Sequence, residues 1–183
     1  SDKRAIIESL HGITGYELYP EDGSILHETA ARDLADKARS LWLTLNFAGE
    51  YSAVEKPVTI RFRKYIPMFP QYRYVTTMEE VRKKFLEVFS EEFTDKILSQ
   101  AVADRDLIEH NDNIYVAYKK NDGEVSYNSW MHHVEDDGNG NFTVVMAVRK
   151  RSVDDIIYVK LPTGKNAEGK FVFTEYPYCD KST

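Results

Sequence analysis

The stretch Tyr72-Arg73-Tyr74-Val75-Thr76-Thr77-Met78-Glu79-Glu80 opens the segment that decides the fold. That segment runs on through Ser90-Glu91-Glu92-Phe93 to Leu107-Ile108-Glu109. Its pattern passes from strand to helix, to a second helix, and back to strand. Thr77 with Glu80 three residues later fits a capping box, in which a hydroxyl accepts from a free amide and a carboxylate reaches back. Glu79 and Glu80 also suit the positive end of the helix dipole. Met78, Val81, Phe85, Val88 and Phe89 recur at helical spacing, with Lys83, Lys84 and Glu87 on the polar side. This predicts a helix over 78–89. Ser90 caps the next helix, predicted over 91–103, where Phe93, Ile97, Leu98 and Ala101 repeat the pattern. A connection this short makes the two helices a bent pair over one core.

Towards the N-terminus, Val58, Ile60 and Phe62 alternate with Thr59, Arg61 and Arg63, which reads as a half-buried strand. Tyr65-Ile66-Pro67-Met68-Phe69-Pro70-Gln71-Tyr72 interrupts it, since two prolines exclude a regular strand or helix interior. Tyr65, Met68, Phe69 and Tyr72 then either fold back onto the core or form an exposed contact patch. Earlier still, residues 26–47 read as a helix with Leu34, Ala38, Leu41, Trp42 and Leu45 on its buried stripe and Gly49 at its end. Trp42 reads as a core anchor. Residues 1–26, with Gly12, Gly15, Pro20, Asp22 and Gly23, read as an N-terminal arm. Residues 27–183 read as a single domain.

Towards the C-terminus strand patterns dominate: 107–109 with 114–119, then 125–134, 142–151, 156–161 and 171–176. Turn residues separate them, at Asn111-Asp112-Asn113, Asn121-Asp122-Gly123, Asp136 to Gly140, Asp154-Asp155 and 162–169. Phe142, Val144, Met146 and Val148 alternate cleanly and give that strand one core face. Strands joined by tight turns form an antiparallel meander. The expected class is α+β, a curved antiparallel sheet with about three helices packed on one face. The order of elements is similar to the cone of nuclear transport factor 2 and ketosteroid isomerase, and to the cystatin-like layout.

At 183 residues, 42% hydrophobic and 13% aromatic, the chain has material for a proper core without disulfides or metal. The net charge of −6 argues against nucleic acid as a partner. No apolar run reaches the length that spans a bilayer. Cys179 is the one cysteine, so no internal disulfide forms. The chain opens Ser1-Asp2-Lys3-Arg4 without an initiating Met. That start is expected where an upstream signal sequence or lipid anchor has been removed.

The motifs of catalysis are not in evidence along the chain. Neither a Gly-x-Ser-x-Gly elbow nor a glycine-rich phosphate loop occurs. Cys179 sits among terminal residues, a poor place for a preorganised nucleophile. His132 and His133 are adjacent in a predicted strand, so alternation sends them to opposite faces and no shared metal is expected. No cofactor is expected either. Asp104, Asp106, Glu109, Asp112, Asp122, Glu124, Glu135, Asp136, Asp137, Asp154 and Asp155 gather near strand ends and turns. They read either as turn formers that keep the surface soluble or as an acidic rim that steers a basic partner. An Asp base with a Tyr donor in a cleft is a third possibility that no spacing selects.

From Tyr72 onward the chain resembles the secreted inhibitors of DL-endopeptidases of Gram-positive bacteria, the IseA-like family. The residues that carry the resemblance are Tyr72-Arg73-Tyr74, Phe85-Leu86 and Phe89-Ser90-Glu91-Glu92-Phe93-Thr94. Leu107-Ile108-Glu109-His110-Asn111, Ile114-Tyr115, Asp122-Gly123, Trp130 and Gly169-Lys170-Phe171-Val172-Phe173 continue it. The chain departs from the family at Asn111-Asp112-Asn113, which lacks the usual glycine, and in the short charged segment between Tyr115 and Trp130. The resemblance implies a non-enzymatic protein of the cell wall or extracellular space that blocks the groove of an NlpC-type cell-wall hydrolase with a loop. The contact surface expected here joins Tyr65, Met68, Phe69 and Tyr72 to Asp122 and Glu124, with the aromatics as anchors. On that reading Phe69→Ala weakens binding and leaves the melting temperature unchanged. Two other readings stand beside it: a small-molecule pocket or enzyme site in the mouth of the sheet, and a structural domain that packs a neighbour against an apolar outer sheet face.

Overall fold

The computed structural model describes residues 23–48, 56–69, 75–120, 129–149 and 155–179. Residues 1–22 of the expected arm lie outside them, and of its remainder Leu26 is buried in the core. Three α-helices and eight strands are formed among the described residues. They are α1 (Glu28–Asn46), β1 (Val58–Ile60), β2 (Arg63–Pro67), α2 (Met78–Leu86), α3 (Glu91–Ala103), β3 (Leu107–His110), β4 (Asn113–Ala117), β5 (Ser129–Asp136), β6 (Phe142–Arg149), β7 (Ile156–Lys165) and β8 (Phe171–Phe173). The class is α+β with antiparallel sheets. The strands are divided between two four-stranded sheets, β1-β2-β4-β3 and β5-β6-β7-β8.

The helix pair forms where its caps place it. Thr77 accepts from the Glu80 amide at 3.2 Å, while the Glu80 carboxylate accepts from the Thr76 amide at 2.7 Å. Glu109 accepts from the Met78 amide at 3.1 Å and so ties β3 to the start of α2. Ser90 accepts from the Phe93 amide at 3.2 Å and starts α3. The residues between the helices are held by β8: the Ser90 amide donates to the Phe173 carbonyl, and the Phe173 amide donates to the Val88 carbonyl, each at 2.8 Å. Val81, Phe85, Val88 and Phe89 are buried in the main core together with Phe173.

That core lies between the helices and one face of each sheet. From α1 it takes Leu34, Ala38, Trp42, Leu43 and Leu45, and Trp42 is the buried anchor that the helical spacing predicts. From β6 it takes Val144, Met146 and Val148. The ring of Trp42 meets Phe47 at 5.5 Å and Tyr178 at 5.4 Å. Burial raises the Tyr178 phenol above its ordinary pKa.

Three local expectations are corrected. Residues 58–63 are not one strand. They turn back at Arg61-Phe62, and Tyr65-Ile66-Pro67, expected in an irregular loop, continue as β2. Pro67 ends that strand opposite Tyr115, where a missing amide is tolerated. β7 runs through Pro162 to Lys165 instead of stopping at Leu161. Residues 156–162 pair with β6 and residues 163–165 with β8, so Pro162 stands where the strand changes partners. Finally, His132 is an extra residue in β5. Met131 pairs with Met146 and His133 pairs with Val145, so a bulge replaces the simple alternation expected of the histidine pair.

Candidate binding surface

The β1–β2 hairpin is built on a small second core. Ile60, Tyr65 and Ala117 are its buried residues, with Ile108 and Tyr115 packed against them. Pairing of Val58 with Tyr65 and Ile60 with Arg63 leaves only two residues for the turn. A two-residue hairpin turn of type I′ has φ above zero at both positions, which normally selects Asn-Gly. Here Arg61 has φ 48° and Phe62 has φ 71°. A side chain as large as phenylalanine rarely adopts that backbone. The ring is fully exposed, at 102% of its reference area.

The base of the hairpin is fixed by charge. Asp106 is buried and accepts from Arg63 and Lys119 at 2.7 Å each. Arg63 also donates to the carbonyls of Asp104 and Arg105, at 3.2 and 3.1 Å. The Tyr65 hydroxyl donates to the Arg105 carbonyl at 2.8 Å. Arg105 is itself in the left-handed region, at φ 57°, in the turn from α3 to β3. The hairpin is thus bolted to that turn, and its tip projects from a rigid base.

Cations lie along the hairpin, with Arg61 at the tip, Lys64 in β2 and Lys56 towards the open end, and Arg105 stands in the adjoining turn beside exposed Asp104. Lys56, Arg61, Lys64 and Arg105 are exposed. Between the hairpin and the α3–β3 turn lies an open cleft of about 350 Å³, lined by apolar Ile60, Met78, Val102 and Leu107 and by Arg61, Arg105, Glu109 and His110. Val102, like Phe62, is a large apolar side chain in contact with solvent. The surface therefore offers an aromatic knob, an apolar shelf and guanidinium groups, a combination enriched at protein interfaces.

The sequence-predicted contact residues are distributed otherwise. Tyr65, Met68 and Phe69 are 1%, 3% and 9% exposed, so they are core side chains and not anchors on the surface. Ile66, Met68 and Phe69 join the main core because β2 faces the helices on that side, and the Met68 amide continues the pairing by donating to the Ile114 carbonyl. Tyr72, Asp122 and Glu124 lie outside the described residues. Phe62, which strand alternation assigns to a buried face, is the aromatic that the fold presents. The available signal was a break in phase: apolar positions fall at 58, 60 and 62 but resume at 65.

The acidic residues in view act locally. Asp106 is the buried partner of Arg63 and Lys119, and Glu109 serves the start of α2. Asp137 accepts from the Asn139 amide at 2.7 Å and from the Asn141 side chain at 2.7 Å. The Asn141 side chain and then the Asn139 amide hold its carboxyl below the usual aspartate range. Among the described residues no group of three or more His, Cys, Asp or Glu is placed to hold a metal ion. No described helix is long and apolar enough to cross a membrane.

No family model matches the chain, and no curated protein matches it.

Proposed function

We propose that the chain is a non-catalytic binding module that inserts the Arg61-Phe62 hairpin tip into an apolar pocket with an acidic rim on a partner protein. The observation that carries this reading is the fully exposed Phe62 ring on a strained two-residue turn. A buried hydrophobic ring stabilises a complex by roughly 2 kcal/mol or more, and strain kept at an exposed position without a folding benefit points to use elsewhere. The cations at Arg61, Lys64 and Arg105 complement an acidic rim.

The resemblance to the DL-endopeptidase inhibitors supplies the partner class. An NlpC-type cell-wall hydrolase, met outside the cytoplasm, has a groove that a projecting hairpin can block. In this reading the blocking loop is the β1–β2 turn. The test is a titration of the chain into a purified NlpC-type DL-endopeptidase while peptidoglycan cleavage is followed. Dose-dependent inhibition by the wild type, lost in Phe62→Asn with an unchanged fold, supports it. Equal inhibition by both proteins removes the hairpin from the mechanism, and no inhibition by either removes this partner.

A second reading rests on the adjoining cleft. Arg61 and Arg105 line it together with His110 and with Glu109, whose carboxylate accepts from the Met78 amide, beside apolar Ile60, Val102 and Leu107; the two guanidinium groups suit a small anionic ligand with an apolar body. Thermal-shift screening against such ligands separates the two readings, since ligand binding there depends on Arg105 and not on Phe62.

A further inference from the structure

The β5–β6 loop contains Asp137-Gly138 and Asn139-Gly140, and the fold treats the two pairs differently. The Gly138 amide donates to the Asp136 carboxylate at 2.8 Å. The Asp137 carboxylate is itself engaged. It accepts from the Asn139 amide at 2.7 Å, the Asn141 amide at 3.2 Å and the Asn141 side chain at 2.7 Å. The Asp137 amide closes the loop by donating to the Asn141 carbonyl at 3.2 Å. The Gly140 amide is passed over. Among the described residues no acceptor takes it, and the Asn139 side chain makes no hydrogen bond. Both residues are exposed. Gly140 has φ 82°, and the space its β-carbon would fill is open. Asn139-Gly140 is also the one Asn-Gly pair of the chain.

We propose that Asn139 is a site of spontaneous covalent modification, in which the Gly140 main-chain nitrogen attacks the Asn139 side-chain amide. The attack needs a nitrogen outside any hydrogen bond, a carboxamide free to turn towards it, and an open approach. Glycine leaves the approach open because it has no side chain. The nitrogen loses its proton to solvent base and bonds to Cγ of Asn139. The bond from Cγ to the side-chain nitrogen breaks, and that nitrogen leaves as ammonia. A five-membered succinimide remains, which water opens at either carbonyl to give aspartate or isoaspartate. In net terms one water hydrolyses one amide, and no oxidation state changes. Asp137-Gly138 is spared, since its glycine amide is occupied and its carboxylate is held by three donors. The product places a new negative charge beside exposed Asp136 and Asp137, where like charges repel. Isoaspartate also lengthens the main chain by a carbon between the two amides that Asp137 holds, which loosens the turn.

The full chain is aged in warm, mildly alkaline buffer, folded in one sample and unfolded by urea in another, and both are followed by peptide mapping with mass spectrometry. The folded sample should convert Asn139 to a mixture of isoaspartate and aspartate. Its rate should lie within about tenfold of the urea sample, because reaction at an exposed loop requires no opening of the fold. Asn141, Asn166 and Asp137 should stay unchanged in the folded chain over the same time. Isoelectric focusing should show a new acidic band. Asn139→Gln, whose longer side chain disfavours the ring, should remove both signals, and its melting curve confirms that it folds. An Asn139 that stays intact in the folded chain overturns the proposal, whether or not the urea sample reacts. Conversion of Asn141 or Asn166 that keeps pace with Asn139 overturns it too.

Discussion

Phe62 holds a backbone conformation that its β-carbon disfavours, and its ring gains no contact area from the fold in return. Left-handed backbone costs an ordinary residue about 1 to 2 kcal/mol, and asparagine tolerates it far better. Phe62→Asn should therefore raise stability by up to about 1 kcal/mol while abolishing partner binding, with urea denaturation and binding measured on the same preparation. Phe69 behaves in the opposite way. It is buried in the main core, so Phe69→Ala should cost about 3 to 5 kcal/mol and lower the melting temperature sharply. That replaces the expectation of an unchanged melting temperature, which follows only if the ring is exposed. Asp106 is the third residue that decides something by itself. Asp106→Asn removes the charge shared by Arg63 and Lys119. Both cations reach water, so they rehydrate in part, and the loss should be about 1 to 3 kcal/mol. A lower urea midpoint with an unchanged slope checks it.

At the scale of elements, what could be read in advance was what local chemistry dictates. Thr77 and Ser90 mark the starts of α2 and α3 because a hydroxyl at an N-cap has one best use. Asn111-Asp112 marks the β3–β4 turn because both residues accept positive φ, at 49° and 57°. The β5–β6 loop was equally legible, with Gly138 and Gly140 at φ 82° and Asp137 accepting the amides of Asn139 and Asn141. The β1–β2 turn was not, because nothing in Arg61-Phe62 favours it. It is imposed by distant packing of Ile60 and Tyr65 on Ala117, which overrides local preference. The β5 bulge was hidden for the same reason: only the pairing with β6 shows that His132 is surplus. The candidate site was thus the least legible part of the chain, since each of its side chains is placed by contacts remote in sequence.

For the whole molecule, charge is unevenly spread. The chain carries a net −6, yet Lys56, Arg61, Lys64 and Arg105 are exposed around the hairpin. Orientation on approach to an acidic partner follows, and the association rate should fall as salt rises. Stability will also depend on pH through groups such as Asp137, whose carboxyl is held below the usual range by the Asn141 side chain and the Asn139 amide. A group with a lower pKa folded than unfolded contributes above the unfolded value. That contribution disappears as pH falls through the folded one. The stability gap between wild type and Asp137→Asn should thus be present at neutral pH and close as the solution is acidified below about pH 4, as followed by melting temperature.

Among the described residues β5 stands at the edge of its sheet, with β6 as its one strand partner. An edge of eight residues is a template on which a strand from another molecule can grow. The surplus residue at His132 breaks the even spacing of that row and bends the strand. A foreign strand that pairs with one half of β5 is out of step with the other, which disfavours growth of the sheet at this edge.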